Sequence, residues 1–525
     1  MSMNFSRRGF VEILVSGGIS AVLPSSTRAE MEGAPAPVAV FQGYESVAGR
    51  ALSSSAVTGK TETVGGTSGV TCRVCTDLET LSNALEINQS LSVSYGPVGS
   101  FDEKMRFVHN LKVTTYSVSI VVFARHTLGK ETTTNVKLKN GIKPPQGRAA
   151  LRNFFRSYGD SYVVSTTRGG EYYAVYTFNS RTREEQSELV ASMKAQGILD
   201  GVTIDGSMQA KITSFSSSSS VESNFDQNVS GILNPKLPTS DQIIPFALAF
   251  PSLALDAPTI IGFGTSGYEH VPAFGGFEPI SKNRSFFVGD GVVDGLTKPL
   301  VQVRQLNDQI SWIQSVYSFY GGYSDAKLTS VGIQAKADQA AIIQLIEQYE
   351  SDPTQAFIRP PLPSLGSGTP TLAYLISNSP AFGGQGGNAF NDVDSRTFIP
   401  QRTKISSIQV RAGDVIDKLM VTYTNSLGRT WTAEHGGNGG RPVNQLDLTG
   451  AQFATQTSGR SGNRVDHLTI DFTGGNSFSG GGNGGDAFAV PVPAGSFLLG
   501  FAGRCYAELD QISFVYGSFQ AATWS

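Results

Sequence analysis

Three strands near the C-terminus are written on one template. VIDKLMVTYT (415–424), RVDHLTIDFT (464–473) and ELDQISFVYG (508–517) each set an apolar residue before an aspartate, then any residue, then Leu or Ile. Each then alternates apolar and polar positions up to a Tyr or Phe. Three glycine loops repeat with them: GGQGG (383–387), GGNGG (436–440) and GGNGG (481–485). Copies spaced roughly 45–50 residues apart predict three similar four-stranded units. Such a sheet has a face it cannot bury alone, so three of them are expected to pack as a prism.

The turns ahead of these strands carry carboxylates. Gly413-Asp414-Val415-Ile416-Asp417 and Gly462-Asn463-Arg464-Val465-Asp466 both read Gly-x-x-x-Asp, and the third copy is Tyr506-Ala507-Glu508-Leu509-Asp510. Glycine permits a tight turn that aims successive N–H groups at a ligand, and the aspartate can accept from two adjacent sugar hydroxyls. A glycine loop beside it lets the main chain approach without a side chain in the way. One such turn is most simply an Asp capping a strand entry. Three in register, each with its own loop, point to a neutral polyol bound weakly at each copy and additively over several.

At this point residues 369–519 resemble a jacalin-related lectin domain, a β-prism, on FGGQGGNAFND (382–392), GDVID (413–417), HGGNGG (435–440) and GFAGRCYAELD (500–510). The resemblance implies a monosaccharide held between a Gly-Gly loop and a Gly-x-x-x-Asp loop. It pairs Gly386 and Gly387 with Ala507, Glu508 and Asp510, and Gly439 and Gly440 with Gly413, Asp414, Val415 and Asp417. Pseudo-threefold symmetry adds Gly484 and Gly485 with Gly462, Asn463 and Asp466. Tyr506 stands where the family has glycine, which implies an altered first site.

The N-terminal part has a different texture. Helices are expected at 78–88, from Arg148 to Phe155, at 183–197 and at 337–350, and a long strand at 113–128. FFRSYGDSYVVSTTRGGEYY (154–173) leads from helix into strand and holds Gly169-Gly170, which marks a bulge, bend or close backbone approach. Tyr158, Gly159, Tyr162, Gly169 and Gly170 resemble the signature of the membrane attack complex/perforin (MACPF) family, with Asp160 and Ser161 departing from it. That resemblance implies an α+β chain: a bent central antiparallel sheet at 61–355, then the all-β prism. It also implies two helical clusters, at about 76–112 and 181–215, that unfold into membrane hairpins joining neighbouring subunits. Val202, Ile204, Met208, Ala210 and Ile212 alternate with Thr203, Asp205, Lys211 and Thr213, which suits a strand facing lipid on one side, or an ordinary half-buried sheet strand.

Punctuation completes the layout. Residues 1–29 resemble a twin-arginine export signal, with Arg7, Arg8 and a small-residue cleavage site at Ala29, although Glu12 is atypical. Residues 30–60 read as a linker or irregular first strand, and 356–368 as an exposed Pro/Gly/Ser linker. With 40 basic against 43 acidic residues, nothing favours nucleic acid. Five scattered histidines offer no metal ligand set, and Cys72 and Cys75 read as a local disulfide or as two free thiols. No paired carboxylates mark a hydrolase, so no enzyme activity and no cofactor are expected. The combination predicts an exported bacterial protein, monomeric in solution, that docks on target-cell glycans and oligomerises in the membrane. Its arrangement resembles the insecticidal perforin-like proteins of soil bacteria. A non-lytic glycan-binding adhesin is the alternative.

Overall fold

The computed structural model describes residues 38–87, 116–180, 183–198, 204–218, 221–272, 274–289, 295–426, 429–448 and 452–525, with Lys104, Phe107, Val108, Leu111 and Val113. The export segment expected at 1–29 and most of the stretch 88–112 lie outside these residues.

An eight-stranded antiparallel sheet organises the N-terminal part. Its strands are β1 (Gly43–Glu45), β2 (Arg50–Ala51), β3 (Val57–Val64), β4 (Gly69–Cys75), β5 (Ser117–Leu138), β6 (Ser161–Asn179), β7 (Glu222–Ser230) and β8 (Thr259–Gly267). β5 and β6, 22 and 19 residues long, run side by side through the whole sheet. Their register slips between Thr127 and Gly129, opposite Gly169 and Arg168. The flanking strands change at the same place. β4 and β7 flank one half, ending at Gly69↔Arg125 and Glu171↔Ser230, while β3 and β8 flank the other from Val64↔Lys130 and Gly169↔Thr259. A bulge at this junction bends the long strands. Gly169-Gly170 serve close approach there: a Cβ on Gly169 would overlap the His126 carbonyl, and one on Gly170 would lie 2.8 Å from the Ser230 carbonyl oxygen.

The stretch 30–60 is not simply a linker. β1 and β2 join the sheet beside β6, and Tyr44, Val47, Ala56 and Val57 are buried. Small residues here let backbones cross, since a Cβ on Gly43 would overlap the Tyr158 carbonyl and one on Gly159 that of Tyr44. Tyr158 and Gly159 close α2 (Arg148–Tyr158), which follows α1 (Leu78–Ala84) in the chain; Gly159 at φ +76° ends the helix. Asp160 is fully buried and accepts from Ser46, Ser161 and Tyr349, tying β1 to β6 and to a C-terminal helix. Burial pushes its carboxyl above the usual range despite the pull of Arg284.

Alternation along β5 and β6 gives the sheet two apolar faces. Val118, Ile120, Val122, Ala124, Tyr172, Ala174, Tyr176 and Phe178 pack against α3 (Arg183–Ala195), α4 (Ser207–Ser218) and α5 (Ile243–Ala249). Val121, Phe123, Tyr173 and Val175 pack against α1 with Val108 and Leu111. Cys72 belongs to the first face and Cys75 to the second, and no disulfide joins them, so the disulfide alternative falls. The strand alternative for 202–213 falls too where the chain is described: Ile204, Met208, Ile212 and Phe215 recur at helical spacing and are buried as one stripe.

After α6 (Glu278–Val288), two long helices, α7 (Thr297–Phe319) and α8 (Ala326–Ser351), form an antiparallel hairpin. Ile342, Ile346 and Tyr349 of α8 complete the N-terminal core, while Leu328, Val331 and Ala335 share a core with the C-terminal strands. The expected exposed linker is packed at one point and exposed at others. Ser364 is buried and donates its N–H and hydroxyl to Asp338 at 2.9 and 2.5 Å, although Ile358 is exposed. No helix among the described residues is long and apolar enough to cross a membrane.

The C-terminal strands form three sheets. β9 (Pro370–Asn378), β10 (Phe382–Gly383), β11 (Asn388–Asn391), β20 (Ser496–Cys505) and β21 (Leu509–Trp524) make the first. β12 (Lys404–Ala412), β13 (Ile416–Thr424), β14 (Thr430–Gly436) and β15 (Arg441–Asp447) make the second. The third holds β16 (Ala454–Ser461), β17 (Val465–Phe472), β18 (Ser477–Gly481) and β19 (Asp486–Pro491). Inward residues such as Val410, Leu419, Val421, Leu468, Phe501 and Phe514 meet in one core. The prism runs past residue 519, because Trp524 still pairs with Pro370.

Candidate functional site

Each aspartate turn joins the two central strands of its sheet, β12–β13, β16–β17 or β20–β21, and each glycine loop joins the strands on either side of them, β14–β15, β18–β19 or β10–β11, so all six loops gather at one end of the prism. The loop pairs that the resemblance and the pseudo-threefold symmetry imply are brought together here. A Cβ on Gly439 or Gly440 would overlap the Asp417 carboxylate. Cβ atoms on Gly484 and Gly485 would lie 2.6 and 2.5 Å from Asp466 oxygens, and those on Gly386 and Gly387 2.6 and 2.5 Å from Asp510 oxygens. The three turns also share a hydrogen bond: Gly413 donates to Val415, Gly462 to Arg464 and Tyr506 to Glu508, at 2.9–3.1 Å. Tyr506 keeps this geometry because the position has no left-handed backbone in the two glycine copies; its side chain simply stands exposed at the rim.

The three loop pairs are interlocked. Gly384 abuts Asn463, Gly437 abuts and donates to the Ala507 carbonyl at 3.1 Å, and Gly482 abuts Asp414. Each glycine loop therefore rests on the aspartate turn of its neighbour. Gly384, Gly437 and Gly482 also donate to the main-chain carbonyls of Asp510, Asp417 and Asp466, at 2.7–2.9 Å.

One arginine per site holds the glycine loop, and these were missed in the motif reading. Arg411 donates to the carbonyls of Gly439 and Gly440, Arg460 to those of Gly484 and Gly485, and Arg504 to those of Gly386 and Gly387, at 2.6–3.0 Å. Their signal was legible: each stands two residues before the first position of its turn, as RAG, RSG and RCY. Binding loop carbonyls with a charged fork fixes a segment that glycine would otherwise leave loose. His435, just ahead of one loop, faces inward: it stacks on Phe390 at 3.6 Å and its Nε2 lies 2.6 Å from Asp392.

The carboxylates differ in what they touch. Among the described residues no side chain or N–H reaches the carboxylates of Asp417 and Asp466. Asp510 instead meets Arg464 Nη1 at 3.0 Å. Asp417 is half-buried, Asp466 is 9% exposed and Asp510 only 3%. A free carboxylate against bare main chain is the chemistry of a site for a neutral polyol.

Gly440→Ala tests the geometry. With φ at +52° and a Cβ forced onto Asp417 and the Ala412 carbonyl, it is expected to cost about 1–2 kcal/mol and to abolish ligand at that loop pair alone. Thermal denaturation and a titration of the variant check both; an unchanged midpoint and unchanged binding would contradict the assignment.

Comparison with known proteins finds relatives of the same C-terminal residues. Residues 379–515 match the jacalin-like lectin domain. Horcolin of Hordeum vulgare is 30% identical over 140 residues, which cover 25% of this chain and 91% of horcolin. Among solved structures, Malaysian banana lectin is 25% identical with a TM-score of 0.24, covering 27% of this chain and 96% of the lectin. A mannose-binding jacalin-related lectin from Ananas comosus is likewise 25% identical, with a TM-score of 0.24, covering 28% of this chain and 99% of that lectin.

Proposed function

Because this chain belongs to the jacalin-like lectin family through its C-terminal prism, we propose that it is a glycan-directed pore-forming protein. The prism docks on sugar at its loop end; the N-terminal domain then oligomerises and inserts β-hairpins into the target membrane. The observation that carries the second half is where the helical clusters sit. One interrupts the antiparallel pair β4 and β5, the other β6 and β7, and they pack on opposite faces of the same sheet. Unrolling either would lengthen the existing pair without changing its connectivity. The intervening segments, 76–116 and 180–221, each supply about 40 residues, and a membrane strand needs only about 9–11. A closed barrel of such hairpins leaves no backbone group unpaired in lipid.

Residues 204–215 suit both states. The helix buries Met208, Ile212 and Phe215 beside Ile204 just ahead of it, while Ile204, Met208, Ala210 and Ile212 share one side of an extended chain. The signature at Tyr158–Gly170 and the bulged sheet support a MACPF-type domain. On this reading the chain is exported from a bacterium through its N-terminal segment, acts as a monomer until it docks, and needs no catalysis or cofactor.

Dye release from glycan-bearing vesicles tests the proposal. Cysteines at positions 209 and 240, whose native groups bond at 2.9 Å, would tether α4 to the segment it packs on. Leakage is expected to fall by at least tenfold in the oxidised protein and to return on reduction. Leakage untouched by the tether would rule out insertion of this cluster. Sugar binding with no leakage in either state would leave a non-lytic adhesin.

A further inference from the structure

We propose that Arg464 holds one of the three glycan loop pairs shut, so that this chain offers two open sites, at Asp417 and Asp466, and a third closed by its own side chain. The inference rests on the lectin reading above. Arg464 belongs to the turn of the Asp466 site but reaches across the seam where Asn463 meets Gly384. Its Nη1 lies 3.0 Å from Asp510 Oδ1 and its Nε 2.6 Å from Glu508 Oε2, and Nη1 also donates to its own neighbour's carbonyl, Asn463 O, at 2.9 Å.

The guanidinium makes a charge-assisted hydrogen bond to Glu508 and an ion pair with Asp510, which a neutral hydroxyl replaces at a loss. The sugar would have to displace the arginine and leave its charge without Asp510. The other two turns carry nothing comparable at the same position: it is Val415 in one and Glu508 in the other. Asp510 is correspondingly the most buried of the three aspartates, and Tyr506, 77% exposed, adds a side chain to that rim where the others have glycine. The two open sites adjoin through the contact of Gly482 with Asp414, which suits a glycan presenting two neighbouring termini.

Crystals of the full chain, of R464V and of R464V/D510N, soaked separately in methyl α-D-mannopyranoside and methyl α-D-galactopyranoside, decide the matter. Valine is chosen because Val415 already fills the equivalent position of a turn closed by the same main-chain hydrogen bond. The expected result is sugar at two loop pairs in the native chain, at three in R464V and at two again in R464V/D510N. Sugar beside Asp510 in the native chain overturns the closure without recourse to any variant, as does R464V with two occupied sites. Sugar at none of the loop pairs in any crystal overturns the lectin reading itself, and the closure with it.

Discussion

Replacing Lys104 with methionine is expected to destabilise the N-terminal domain by about 3 kcal/mol at neutral pH, and by progressively less as the solution is made acid. Lys104 Nζ lies 2.6 Å from Glu171, which is almost fully buried and follows directly on Gly169-Gly170. The same ammonium donates to the carbonyls of Leu85 and Ile261 at 3.2 and 3.3 Å. Glu171 also holds Arg125, at 2.6 and 2.9 Å, and Arg125 reaches Glu86 at 2.5 Å. Lys104 and Glu86 come from the first cluster and Glu171 from the sheet bend, so this ion group clasps one to the other.

The sign of the pH dependence follows from Glu171. Burial raises its pKa, outweighing the pull of Lys104 and Arg125. A carboxyl whose folded pKa lies above its unfolded value favours the fold below the unfolded value, and that contribution is lost as pH rises through the folded one. Removing Lys104 raises the folded value further, so the variant loses more on alkalinisation than the native chain does. Urea midpoints for both proteins between pH 4 and pH 8 read this directly. A gap that stays constant, or widens in acid, would show that Lys104 does not answer to Glu171. On the pore proposal the variant should also leak vesicles faster, because a clasp on one cluster has gone.

None of this clasp was legible in the sequence, and the reason is physical. Lys104, Arg125 and Glu171 are separated by loops and strands, and nothing local distinguishes a buried lysine from the many solvated ones. The glycine loops and their aspartates were legible because a threefold repeat writes the same contact three times, and Arg411, Arg460 and Arg504 belonged to that pattern. Arg464 breaks the pattern, and its reach to Asp510 depends on a seam between loops that no single copy encodes. The segment 202–215 supports both a helical stripe and a strand alternation, so only the sheet packed beneath it decides for helix. Residues 30–60 read as linker or irregular first strand because small residues serve backbone crossing as well as flexibility.

The joint between the two domains was legible only in part, and it carries the second prediction. Tyr320→Ala is expected to cost about 3–5 kcal/mol and to split one cooperative unfolding transition of the chain into two. The Tyr320 ring stacks on Phe497 at 4.2 Å, and its hydroxyl donates to Phe398 and Thr403 carbonyls at 3.2 and 2.8 Å. Beside it Tyr317 packs on Phe519 at 4.7 Å, and Asp325, which caps α8 through Leu328, also accepts from Ala522 at 2.8 Å. The α7–α8 hairpin thus plugs the end of the prism away from the sugar loops while its other end fills the N-terminal core. On the pore proposal, a prism seated on glycan would fix the direction in which the sheet and its clusters face the membrane. On the same proposal, sugar binding should persist in Y320A while dye release falls, because docking would no longer orient the N-terminal domain. Calorimetry showing one unsplit transition, or leakage undiminished at equal sugar binding, would mean that the two domains act through their covalent connection alone.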